Sequence, residues 1–153
     1  MTTQFVETRT TRDGTQSIIA NCEGNWFKVS KPVPGYNGGK PQYEMQIAST
    51  DTEQLKSWKE LMPNLNVKEE GPTTFTLKRP AWLGAPAVVD EEGNIIETAA
   101  RATIGNGSTC NVKVSHKNHP KTNRPYLCLE AIKITKMVEF VPDTGNFDDN
   151  FDF

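Results

Sequence analysis

The sequence predicts an all-β protein: a five-stranded Greek-key barrel with one α-helix after the second strand and a disordered acidic C-terminal tail. Three observations carry this. Apolar residues alternate at period two in several short runs, and only one run has helical spacing. The 11 Gly and 10 Pro of the 153 residues fall largely between those runs, so short elements are joined by turns. The last eleven residues, DTGNFDDNFDF, hold four aspartates, three phenylalanines and no lysine or arginine.

The elements follow in order. Residues 25–30 (NWFKVS) read as a short strand, and 31–41 (KPVPGYNGGKP) as a Pro/Gly-rich loop. Residues 42–49 alternate Tyr43, Met45 and Ile47 in a second strand, hairpin-like to the first. Thr50 to Glu53 matches a capping box. Leu55, Trp58, Leu61 and Met62 then fall on one helical face, and Pro63 ends the run. Residues 73–79 alternate Phe75 and Leu77 inward, and 86–90 form a strand entering the turn Glu91–Asn94. Residues 108–116 place Cys110, Val112 and Val114 on one face.

The longest strand candidate is 125–141. Leu127, Leu129 and Ala131 share one parity, while Ile132, Ile134, Val138 and Phe140 share the other. A regular strand cannot bury both sets against one core, so a β-bulge is expected near Ala131–Ile132. Long bent strands suit the corners of a small closed barrel. Of the adjacent aromatics Trp26 and Phe27, one is expected inside, together with Phe75 and Trp58.

Hydrophobic residues make up 35% of the chain, enough for one modest core, so a single barrel domain is expected over 1–142 with a tail at 143–153. No run of 18 apolar residues suggests a membrane span. The polar start MTTQFVETRTTRDGTQ lacks the apolar segment of a signal peptide. Cys22, Cys110 and Cys128 are odd in number and far apart, which fits a reducing cytoplasm rather than a disulfide scaffold.

Charge is divided unevenly. Residues 1–142 carry all 17 Lys and Arg against 15 acids, and the tail carries the other four acids. A mildly basic body with an acidic tail suggests a polyanion ligand. The loop at 31–41 offers Lys31 and Lys40 with the flat rings of Tyr36 and nearby Tyr43. The loop HKNHPKTNR offers Lys117, Lys121 and Arg124. In an oligonucleotide-binding barrel these two loops flank the ligand groove. Lys28, Lys78, Arg79 and Lys113 sit on the strands or at their ends. Tyr36, Tyr43, Trp82 and Tyr126 are the candidates for base stacking, a contact worth about 1–3 kcal/mol and tolerant of any base.

Other chemistry finds less support. His116 and His119 could pair with Cys110 or Cys128 on zinc, but no CxxC is present and parity puts Cys110 in the core. No cofactor is expected. GNGS (105–108) lacks the lysine of a phosphate loop. Asp90, Glu91 and Glu92 lie in a turn and would be the acids of a small metal-dependent nuclease, the alternative from another class. A virion or structural protein that docks through its tail is a third reading.

IGNGSTCNVKVS followed by YLCLEAIKITKMVEF resembles the closing strands of the single-stranded-DNA-binding proteins of short-tailed, T-odd lytic phages. The pieces that match are the turn Gly105 to Ser108, Val112-Lys113-Val114, and Leu127 to Ile132. WFKVSKPVPGYNGG is similar in character, as are TTFTLKR and AVVDEEGN, so the resemblance covers roughly 24–153. It implies an OB-fold that binds single-stranded DNA in phage replication, recombination and repair, in the cytoplasm of the infected host and without enzymatic activity. It further implies an acidic tail ending in Asp-Phe, as Asp152-Phe153 does here. In that family the tail contacts the replicative DNA polymerase and the primase-helicase and supports a homodimer. The tail is shorter here. It can mimic phosphates and occupy the basic groove at a tethered concentration on the order of millimolar. Phe147, Phe151 and Phe153 would anchor partners while Asp143, Asp148, Asp149 and Asp152 steer them.

Overall fold

The computed structural model describes residues 5–12, 14–34, 39–63, 65–118 and 121–138. Among them are seven strands and one α-helix: β1 (Val6–Thr11), β2 (Gly14–Val33), β3 (Gln42–Ser49), α1 (Thr52–Leu61), β4 (Thr73–Pro80), β5 (Ala87–Val89), β6 (Ser108–Asn118) and β7 (Pro125–Lys136). Antiparallel pairing runs from β2 to β3, β3 to β4, β6 to β7 and β6 back to β2. A parallel pairing of β4 with β7, registered at Lys78 and Cys128, completes the ring. Five strands therefore close into the expected Greek-key barrel, with the helix after its second strand. β1 is an antiparallel edge on β2, and β5 is a parallel edge on β7.

The expected first strand is longer than its apolar signal. β2 starts at Gly14 and pairs first with β6 and then with β3, so it forms a corner of the barrel. Three register shifts interrupt it, the last between Lys28 and Val33; the first two, between Ile19 and Cys22 and between Asn25 and Lys28, are one-residue bulges that bend it. Each bulge contains a residue in the left-handed region, Asn21 at φ 50° and Trp26 at φ 48°. The second bulge sends Phe27 into the core and leaves Trp26 exposed. Gly24 permits this, because a β-carbon there would overlap the Phe27 ring and lie 3.1 Å from Cys110 Sγ.

The bulge expected in the last strand is present, one position upstream. Val114 pairs with Leu129 and Lys113 with Ala131, which leaves Glu130 as the extra residue. Leu129, Ile132 and Ile134 consequently all reach the core. The strand ends at Lys136; Val138 is exposed, and Phe140 lies outside the described residues.

Helix α1 begins one residue later than expected, at Thr52, and its cap is Asp51 rather than Thr50. Asp51 Oδ1 accepts from the backbone N–H groups of Glu53 and Gln54 at 2.9 and 3.1 Å. A carboxylate next to the positive end of the helix is the stronger cap. Buried Gln54 donates to the carbonyls of Ala20 and Asn21, which ties the helix to the first bend of β2. Leu55, Trp58 and Met62 bury the helix face against the barrel core as the spacing predicts.

Two short 3-10 turns, Ala81–Leu83 and Thr98–Thr103, have no counterpart in the sequence reading. The second carries Arg101 into the interior, where its guanidinium donates to the carbonyls of Ile96, Val29 and Pro86. Burial lowers the Arg101 pKa, while Glu97 and Tyr43 act to raise it. Three carbonyl partners make this buried cation tolerable.

Candidate nucleic-acid interface

Period-two geometry and the register fix which side chains share the outer surface of the barrel. One register line crosses the barrel from Ser115 on β6 through the buried Cys128 on β7 to Lys78 on β4, Glu44 on β3 and Lys28 on β2. On the next rows of β6 and β7, Lys117 stands opposite Tyr126 and Lys113 opposite Ala131. Lys28, Lys78 and Lys113 are exposed, and Lys117 and Tyr126 are half-buried. Glu44 is the acid between Lys28 and Lys78, so the row stays cationic. Burial, with Cys128 and Glu130 nearby, raises the Tyr126 pKa and keeps its hydroxyl protonated.

The loops place further groups at the margin. Lys40 is exposed just before β3, and Lys121 and Arg124 are exposed between β6 and β7. Lys31 is exposed in the stretch of β2 where pairing with β3 is irregular. Trp82 is 77% exposed on the first 3-10 turn, which is held to the end of the 34–41 loop by Ala81 N–H donating to Pro41 O at 3.1 Å. Tyr36 and the tail residues Asp143, Phe147, Asp148, Asp149, Phe151, Asp152 and Phe153 lie outside the described residues.

Two expectations need correcting. Arg79 is occupied by the fold. Its guanidinium donates to the carbonyls of Gly84, Leu83 and Leu129 and pairs with Glu130 at 3.3 Å. A side chain 13% exposed with those partners is a staple between β4 and β7 rather than a phosphate ligand. Tyr43 shares the inward parity of Met45 and Ile47 and is half-buried, so period two sets its ring off the outer face. Of the adjacent pair Trp26 and Phe27, Trp26 is the outward member and stands 59% exposed.

The residues weighed for other chemistry lie apart. His116 Nε2 is 2.7 Å from Ser17 Oγ, which also meets Thr8 Oγ1 at 2.8 Å. Cys110 faces Cys22, Sγ to Sγ 3.9 Å, and the hydrogen bond with that thiol, together with burial, pushes the Cys110 pKa well up. Cys128 lies beside Arg79, and His119 is outside the described residues. Among the described residues no cluster of three or more His, Cys, Asp or Glu is arranged to hold a metal. Asp90 Oδ1 accepts from the backbone N–H groups of Glu92 and Asn94, both at 2.9 Å, and these bonds lower its pKa. That carboxylate organises its own turn.

A closed five-stranded barrel with a helix after the second strand, flanked by two basic loops, defines the oligonucleotide/oligosaccharide-binding class. Particular solved structures share it. The single-stranded DNA-binding protein of bacteriophage Enc34 in complex with single-stranded DNA aligns with TM-score 0.60 at 16% identity, over 88% of this chain and 93% of that one. A second structure of the same phage protein aligns with TM-score 0.61 at 11% identity, over 94% of this chain and 93% of that one. Gp2.5 of bacteriophage T7, a single-stranded DNA binding protein, aligns with TM-score 0.47 at 17% identity. The Enc34 likeness establishes the fold, and in fold the expected resemblance to phage single-stranded-DNA-binding proteins holds. No family model matches the chain, and no curated protein is similar to it in sequence.

Proposed function

We propose that the protein binds single-stranded DNA without base preference, in phage DNA replication and recombination, and performs no covalent chemistry. The observation that carries this reading is the set of outward lysines, Lys28 and Lys78 on one row and Lys113 and Lys117 on the rows flanking it, on a barrel whose fold is that of phage single-stranded-DNA-binding proteins. One such protein was solved with single-stranded DNA, which supports the same ligand here. Lysines meet phosphates as point charges, and the margin supplies Lys31, Lys40, Lys121 and Arg124. Exposed Trp82, half-buried Tyr126 and, from the sequence, Tyr36 offer faces for unstacked bases.

The acidic tail completes the proposal. Its four aspartates carry the charge of a short phosphate chain, so it competes with DNA for the row and is freed when DNA binds. The freed tail then recruits the replicative polymerase and primase-helicase through its phenylalanines, in the cytoplasm of the infected host. A homodimer is consistent with this role.

The test is a titration of intrinsic fluorescence with oligo-dT at two salt concentrations, on the full chain and on a chain lacking 143–153. We expect quenching, a log–log salt slope of roughly 0.7 per phosphate neutralised, and tighter binding by the truncated chain. Absence of binding at low salt would refute the assignment. Equal affinity of the two chains would refute tail competition alone.

A further inference from the structure

We infer that Trp26 is a nucleotide-stacking platform, built into the bulge of β2 and held there by the turn at 105–108. This deepens the single-strand reading and rests on it. Three non-glycine residues among those described have positive φ: Asn21, Trp26 and Asn123. Asparagine tolerates that region because its short polar side chain can bond locally. A tryptophan at φ 48° is a genuine outlier.

The surrounding structure over-determines the conformation. Trp26 N–H donates to Asn106 Oδ1 at 2.7 Å. In return, Gly107 N–H donates to Asn25 Oδ1 at 2.9 Å and to the Gly24 carbonyl at 3.0 Å. The bulge thus has both of its strands' neighbours fixed, and Phe27 fills the core position. The core has no need of the indole, which stands in solvent.

A glycine would adopt the same backbone without strain and keep every one of these bonds, since all run through the backbone of residue 26 or through its neighbours. Strain retained for the sake of an exposed ring points to the ring's own use. Its position says what that use is. Asn25 pairs with Gln46 and Lys28 with Glu44, so Trp26 emerges on the outer face between two registered positions, two residues before Lys28 and separated from it by the buried Phe27. A flat, sequence-tolerant face near a phosphate-binding cation suits an unstacked nucleobase of any identity.

The experiment measures anisotropy of labelled oligo-dT with Trp26→Gly, Trp26→Phe, Asn106→Ala and Lys78→Ala, each accompanied by a thermal melt. Trp26→Gly is expected to weaken binding about tenfold. Its salt slope should stay unchanged, because no cation is lost. Its melting temperature should equal or exceed that of the unaltered protein. Trp26→Phe should restore most of the affinity. Asn106→Ala, which acts through positioning, should weaken binding less than Trp26→Gly and also leave the slope unchanged. If Trp26→Gly binds as tightly as the unaltered protein while Lys78→Ala weakens binding, the inference falls and the single-strand reading stands. If the unaltered protein does not bind oligo-dT, both fall.

Discussion

In β7 the extra residue Glu130 turns Ile132 and Ile134 onto the face that Leu129 already occupies, and the result is a continuous apolar interior. In β2 the extra residue separates two aromatics instead, burying Phe27 and exposing Trp26. The same device serves packing in one strand and display in the other. What decides is the composition on either side. β7 carries apolar residues of both parities and no aromatic at the shift, whereas β2 has two large rings side by side with Gly24 beneath one of them.

The comparison can be broken by altering each bulge. Deleting Glu130 should have the largest effect. It forces either the Leu127–Leu129 half or the Ile132–Ile134 half of β7 to face water. Exposing two large apolar side chains costs about 3–6 kcal/mol, comparable with the whole stability of a small domain, so the cooperative melt should be lost or displaced far downward. Gly24→Ala attacks the other bulge. The added methyl collides with the Phe27 ring, and overpacking of this kind costs about 1–3 kcal/mol, measurable by chemical denaturation.

Sharper but smaller is the pair Lys78→Ala and Lys117→Ala. Each should lower the salt slope of oligonucleotide binding by roughly 0.7. Unfolding should change by no more than about 0.5 kcal/mol for the exposed Lys78 and somewhat more for the half-buried Lys117. The smallest effect is at Asp90, away from both bulges. Its folded pKa is depressed, so its contribution to stability is present above the ordinary carboxylate range and lost as pH falls through the folded value. Asp90→Ala should therefore melt slightly below the unaltered protein at pH 7, and the gap should close below about pH 4.

Much of the barrel is legible because alternation survives in β3, β4, β6 and β7. The conflict of parities in β7 even announces its bulge. β1 is not legible that way, because VETRTT has one apolar residue, Val6, and is polar on both faces beyond it, as an edge strand permits. The available signal was Asp13-Gly14 between two strand-like runs, a hairpin dipeptide. Period two predicts the outward orientation of Lys28, Lys78 and Lys113, and all three are exposed, whereas Lys117, expected in a loop, lies on β6. Parity could not foresee Arg79, whose carbonyl partners are delivered by the 3-10 turn after β4 and by a strand fifty residues further on. Nor could it choose between Trp26 and Phe27, since adjacency says only that one goes each way.

The β4–β7 closure is the narrowest join in the ring, a single registered pair with Arg79 reaching across it. Lys78, one half of that pair, also belongs to the cationic row. An anionic strand lying over the row would therefore cross the seam like a strap over a lid, and its binding energy would count toward keeping the lid shut. Loosening the seam should weaken the strap in equal measure, so affinity and closure rise and fall together.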